Sequence, residues 1–246
     1  MSIDPAAVTS LRDVGVTRLL RESAPEWLVP LADAVTLLGD LAVIVGGLAV
    51  AVLVDIRRGR RDSRERLVSD RTAFLVGVVL GGLAFTLILK TVVAADRPPT
   101  ELQAIGRHGH GFPSGHTMAA ALLWGALAIW GRTGSRRMRL LVASTIVGLV
   151  AVSRLVLGVH YLADVVASVA IAVGFLVVAG VTLAGEPRRA LGTAAVLGVA
   201  ALIVTGGNVD GVVAFGGCLG AAAGWWLSRI GTDRLVRRVY RQAADR

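Results

Sequence analysis

The chain has 246 residues, of which 54% are apolar and 17% charged, and its mean hydropathy is +0.69. Soluble domains carry about 25% charged residues; here apolar runs of roughly 18–24 residues, each enough to cross a bilayer core of about 30 Å, recur along the chain, which excludes a soluble globular enzyme, a disordered chain and a disulfide scaffold. The net charge of +9 does not mark a nucleic-acid binder, because the basic residues lie between apolar runs, where they set membrane orientation.

The expected fold is therefore all-α, a polytopic transmembrane helical bundle of about six to seven spans. Residues 1–30 form an N-terminal segment without the basic start and apolar core of a cleaved signal peptide. In it Leu11, Val14, Leu19 and Leu20 suggest a short amphipathic interfacial helix. Pro25 and Pro30 precede a first span near 31–56; further spans are expected near 72–95, 114–131, 139–159 and 161–184. The apolar region 190–228 is too long for one helix, and the run from Gly206 to Gly211 is a turn signal that divides it into two. Seven spans result, within one transmembrane domain at 31–230 that is followed by a basic tail at 231–246. The single cysteine, Cys218, cannot form an internal bridge.

Of the 26 basic residues only Lys90 is a lysine. The loop after the first span holds Arg57, Arg58, Arg60, Arg61, Arg64, Arg66 and Arg71; the loop after the third holds Arg132, Arg136, Arg137 and Arg139; Arg188 and Arg189 follow the fifth. Six more arginines lie between Arg229 and Arg246. Helix parity puts all of these on one side, which the positive-inside rule makes cytoplasmic. The N-terminus is then outside, the C-terminus is cytoplasmic, and the expected location is the cell membrane.

Lys90, Arg97 and Arg154 break this pattern by flanking the outer loops. Ionisable residues at membrane depth are costly and mark functional sites. Three clusters contain them. In Lys90-x6-Arg97-Pro98 the two cations are seven residues apart and share a face if the helix persists. In Pro113-Ser114-Gly115-His116 a serine suited to cap a helix precedes a glycine that allows close backbone approach, and free N–H groups at a helix start suit an anion. In Ser153-Arg154-x5-His160-x3-Asp164 the last two residues are spaced i, i+4, so the carboxylate can orient one ring nitrogen and leave the other as a nucleophile. Taken singly, each cluster also admits a plain reading, as snorkelling cations, an ordinary helix start or a structural His–Asp pair. Together they describe a site for a phosphate or phosphate ester. No cluster of Cys, His, Asp and Glu has metal-ligand spacing; His108 and His110 fit a Gly-rich loop better than a metal site. Asp40, inside the first span, either faces the pocket or hydrates at the rim.

These three motifs, unbroken and in order over about residues 72–184, resemble those of the type 2 phosphatidic acid phosphatase superfamily, the integral-membrane lipid phosphate phosphatases. Members commonly have six core spans, one fewer than the sequence suggests here. The resemblance implies that His160 is a nucleophile forming a phosphohistidine, that Asp164 orients it, and that His116 protonates the leaving group. It implies that Lys90, Arg97, Arg154, Ser114 and Gly115 hold the phosphoryl group, with no metal or other cofactor. The partners it implies are a lipid phosphate and the bilayer. A polyprenyl diphosphate such as undecaprenyl or dolichyl diphosphate is the preferred substrate, since carrier recycling needs an outward site. The alternatives are phosphatidic acid, a phosphatidylglycerophosphate-type substrate, a lipid phosphotransferase, or, outside enzymes, a transporter or scaffold. A transporter is disfavoured because the charges gather at one interface rather than near mid-membrane.

Overall fold

The computed structural model describes residues 14–62 and 66–244, with side chains to residue 229. Among them every regular element is helical. Leu11 of the expected interfacial helix and Arg64 of the first basic loop lie outside the described residues, as do the side chains of the basic tail.

Helix α1 (Gly15–Ser23) is the described part of the interfacial segment. It leaves Val16 and Leu19 exposed and turns Thr17, fully buried, onto the corner at residues 157–160. The first span is not one helix. It consists of α2 (Leu28–Thr36), a 3-10 turn at Leu37–Gly39, and α3 (Leu41–Arg61), and the two parts are bent by 45°. The break has one local and one distant cause. Asp40 is extended and its carboxylate caps α3 by accepting from the Ala42 amide at 2.9 Å. Gly39 sits so close to the carbonyl oxygen of His116 that any Cβ would collide with it.

Helix α4 (Asp70–Val93) is capped by Ser69, whose hydroxyl accepts from the Thr72 amide, and it ends at a left-handed Ala94. It is the centre of the bundle: Phe74, Leu75, Val78 and Val79 are buried, and it packs on α5 (Gly115–Trp130) and α8 (Pro187–Val204). In lipid such association rests on close packing rather than on escape from water. Helix α6 (Arg136–Val156) packs on α5 and on α2, and α7 (Leu162–Leu183) packs on α5. The turn expected around Gly206 is present and separates α8 from α9 (Val209–Ala244), with Gly206 and Gly207 at positive φ. Helix α9 does not stop at the expected end of the membrane domain but runs on through most of the tail.

Among the described residues five helices can span a membrane by length and apolarity: α4, α6, α7, α8 and the part of α9 up to Arg229. The bent α2–α3 pair makes a sixth. The expected third span, α5, has only 16 residues, about 24 Å at 1.5 Å per residue against a core of about 30 Å.

Candidate active site

All three motifs meet where α4 ends, α5 begins, α6 ends and α7 begins. Lys90, in the last turn of α4, donates to the carbonyl of Pro113 at 3.3 Å, and a side chain at Gly115 would stand 3.8 Å from its Nζ. The lysine thus closes on the start of α5. Ser114 occupies the cap position, but its hydroxyl does not cap. It is fully buried against the Thr117 hydroxyl at 3.0 Å, and its own amide donates to Ser168 of α7 at 2.8 Å. Four free amides at the helix start are thereby reduced by one, and Ser168 in turn donates to the carbonyl of Asp164 at 2.6 Å. The third motif is knitted to the second through this hydroxyl.

Arg97 does not share a helical face with Lys90, because α4 ends at Val93 and Arg97 lies beyond it. The loop returns it to the site instead. Its Nε donates to the Gly109 carbonyl at 3.1 Å, and its Nη1 donates to the Val159 carbonyl at 3.0 Å and stands 3.2 Å from His160 Nε2. Burial, then the neighbouring Arg107, lowers its pKa from the usual arginine value.

His160 likewise lies off the helix. The i, i+4 spacing suggested one helical face, yet α7 begins at Leu162 with Tyr161 as its cap. The carboxylate of Asp164, in the first turn, accepts from the Tyr161 amide at 3.1 Å and stands 3.5 Å from His160 Nδ1. The corner before it turns at Gly158, which has φ +67°, and a Cβ there would strike the Leu102 carbonyl. Thr17 of α1 holds the His160 carbonyl at 3.1 Å. The imidazole is 1% exposed and the carboxylate 0%. Burial pushes the His160 pKa down to about 4, helped by Arg154 and Arg97 and opposed by the hydrogen bond to Asp164. The ring is therefore neutral at pH 7, with Nδ1 toward the carboxylate and Nε2 toward Arg97.

Arg154 is 1% exposed. Its Nη1 donates to the Thr36 hydroxyl at 2.8 Å, while its Nε is buried without a partner. A buried guanidinium donor left unmade costs free energy that an anion would recover. His116 Nε2 stands 3.8 Å from the Asp40 carboxylate. Sequence reasoning left Asp40 open and missed Thr36, Thr17 and Ser168; hydroxyls inside apolar helices carry no spacing signal. Arg107, from the outer loop, is close enough to act electrostatically on Arg97, Arg154 and His116. His108 and His110 stay exposed in that loop, and among the described residues no three His, Cys, Asp or Glu gather as metal ligands.

The arrangement is a buried neutral imidazole ringed by Lys90, Arg97 and Arg154, a surplus of positive charge that suits a phosphoryl group. Residues 71–188 match the family model of the PAP2 superfamily. Among solved structures, the fold is similar to the first transmembrane PAP2 type phosphatidylglycerolphosphate phosphatase from Bacillus subtilis, with a TM-score of 0.61 and 18% identity over 72% of this chain and 85% of that one. It is also similar to LpxE of Aquifex aeolicus, with a TM-score of 0.54 and 18% identity over 73% of this chain and 98% of that one. No curated protein matches the chain.

Proposed function

We propose that this chain, whose residues 71–188 match the PAP2 superfamily model, is an integral-membrane phosphatase that hydrolyses a lipid phosphate or diphosphate without a metal. The observation that carries this is His160: a neutral ring with Nδ1 backed by Asp164 and Nε2 turned to Arg97 at 3.2 Å.

In the first step His160 Nε2 attacks phosphorus, and the bond from phosphorus to the leaving oxygen breaks. The leaving oxygen takes a proton from His116. Asp164 holds Nδ1–H and stabilises the positive charge on the phosphorylated ring. Lys90, Arg97 and Arg154 bear the charge on the equatorial oxygens, with the free amides of the first turn of α5 from Gly115 onward contributing; the Ser114 amide expected to join them is committed to Ser168. In the second step water attacks phosphorus and gives a proton to His116; the P–N bond breaks and inorganic phosphate leaves.

The motif cluster lies at the ends of α4, α5 and α6 opposite the arginine-rich loops. With those loops cytoplasmic, the site opens to the outer leaflet. That supports a polyprenyl diphosphate, whose lipid carrier is recycled from the outer face. A phosphatidylglycerophosphate-type substrate is the second reading, favoured by the Bacillus subtilis neighbour's named activity.

Purified protein in detergent with EDTA, offered undecaprenyl diphosphate, phosphatidic acid and phosphatidylglycerophosphate, should release phosphate, fastest from the first. It should also trap an acid-labile phosphohistidine that His160→Ala lacks. Activity lost to chelation and restored by a divalent ion would overturn the metal-free mechanism. Silence on all three lipids would overturn the phosphatase.

A further inference from the structure

The break in the first span lies outside the matched family region, yet it touches two of the site's motifs. Thr36 receives the Arg154 guanidinium, Gly39 packs on the first turn of α5, and Asp40 faces His116. We propose that Asp40 is a positioning residue that orients His116 and favours the proton the ring transfers to the leaving group. The proposal rests on the phosphatase reading. One carboxylate oxygen is committed to capping α3 at the Ala42 amide, which fixes the side chain and turns the other oxygen toward His116 Nε2 at 3.8 Å. The groups facing that imidazole are Arg154, Arg107, His160 and Asp40. Two of them are cations that disfavour a proton on the ring, and among the four Asp40 alone carries the charge that favours one. A ring among arginines needs such a partner to act as an acid.

The test is Asp40→Asn against Asp40→Glu in the full-length protein. With a lipid alcohol leaving group, Asp40→Asn should lower kcat more than it raises KM. It should also move the alkaline limb of activity toward acid by about one pH unit or more, the scale of a lost neighbouring charge. With nitrophenyl phosphate, whose leaving group needs no proton, most of the loss should vanish. Asp40→Glu should restore the profile in part. If the wild type is active and Asp40→Asn keeps its pH profile and leaving-group dependence, Asp40 serves only as a helix cap and the proposal fails. An inactive wild type would instead sink the phosphatase reading.

A separate observation lies at the opposite end of the bundle, independent of catalysis. A cavity of about 570 Å³ lies among α3, the start of α4, the end of α5 and α6, with Val54, Val142 and Trp124 in its lining. That volume is within the about 300–1,000 Å³ usual for ligand sites. Arg58, Arg71, Arg132 and Arg139 line it against one acid, Asp55. Arg139 is held in place by the carbonyls of Ala128 and Gly134 at 3.1 and 2.8 Å, and Asp55 is engaged by the Ser69 amide at 2.6 Å. We infer that this groove binds an anionic phospholipid, chain in the apolar cleft and phosphate on the arginines, as basic pockets between membrane helices do.

Native mass spectrometry of the full chain with phosphatidylglycerol or phosphatidylcholine tests it. The wild type should retain phosphatidylglycerol, and Arg58→Gln with Arg71→Gln and Arg132→Gln should lose that preference. Arg154→Gln, at the other end, should keep it. Equal retention of both lipids by the wild type, or loss of phosphatidylglycerol in Arg154→Gln alone, would overturn the site.

Discussion

At one end of α5 and α6, Arg154 is buried against Thr36 and Arg97 is pinned between two carbonyls and His160. At the other end Arg132, Arg136 and Arg137 are exposed, as are Arg57, Arg58, Arg60 and Arg61. The residue type is the same and the work differs. A guanidinium that water surrounds is screened and holds no fixed geometry, so it biases orientation in the membrane and offers charge to lipid headgroups rather than a preorganised donor to chemistry. A guanidinium that neighbours fix and water cannot reach is a preorganised donor, aimed where charge develops. The contrast between the two ends therefore lies in burial and partners, not in charge count.

The largest test of that contrast is the proposed nucleophile at the buried end. His160→Ala should abolish turnover and the trapped phosphoenzyme together, measured by phosphate release and acid-quench labelling. A variant that kept turnover would move the chemistry elsewhere.

Arginine replacements come next and address the contrast directly. Arg154→Ala should lower kcat by roughly 10²–10³-fold, the usual cost of a preorganised donor. Arg58→Ala, outside the site, should leave kcat within about twofold, as expected of an exposed charge. Equal losses would mean that burial does not separate the two ends.

A smaller effect concerns pH. The pKa of His160 is lowered from 6.5 to about 4, so its nucleophilic neutral form survives acidification through pH 6.5 and is lost only as pH falls through about 4. The acid limb of kcat/KM should therefore lie near 4 and not near 6.5. In Asp164→Asn the lost carboxylate should push the His160 limb lower still while kcat falls, because the carboxylate is one of the groups raising that pKa. An acid limb near 6.5 in the wild type would show a hydrated ring.

The mildest perturbation reads orientation without disturbing chemistry. With Cys218→Ala as background, a membrane-impermeant thiol reagent on intact cells should label Gly109→Cys, in the loop over the site, and spare Thr133→Cys, in the arginine-rich loop. The reverse pattern would invert the protein and remove the reason for preferring a carrier lipid.

Much of this fold was legible because a bilayer leaves few choices. Uncharged runs long enough to span had to be helices, since no water satisfies backbone groups there, and the glycine turn at 206–207 had to divide the last run. The three motifs were legible because their residue types are costly in an apolar chain. Illegible were the features set by neighbours far along the sequence. The break at Asp40 follows from the first turn of α5 crowding Gly39, more than seventy residues away in sequence. Arg97 reaches the site through a loop bonded to Gly109 and Val159, not along a helix.

The sequence by itself determined the membrane class, the order of the spans and which polar residues the three motifs carry, because charge and apolarity are local properties of each residue. Only the tertiary structure decided which hydroxyls and carboxylates serve those residues. Thr17 on the His160 carbonyl, Thr36 on Arg154, Ser168 between α5 and α7, and Asp40 before His116 are all contacts across elements. Their physical reason is distance in space: a hydrogen bond depends on two atoms meeting at about 3 Å, and no periodicity in one segment encodes what another segment brings to it.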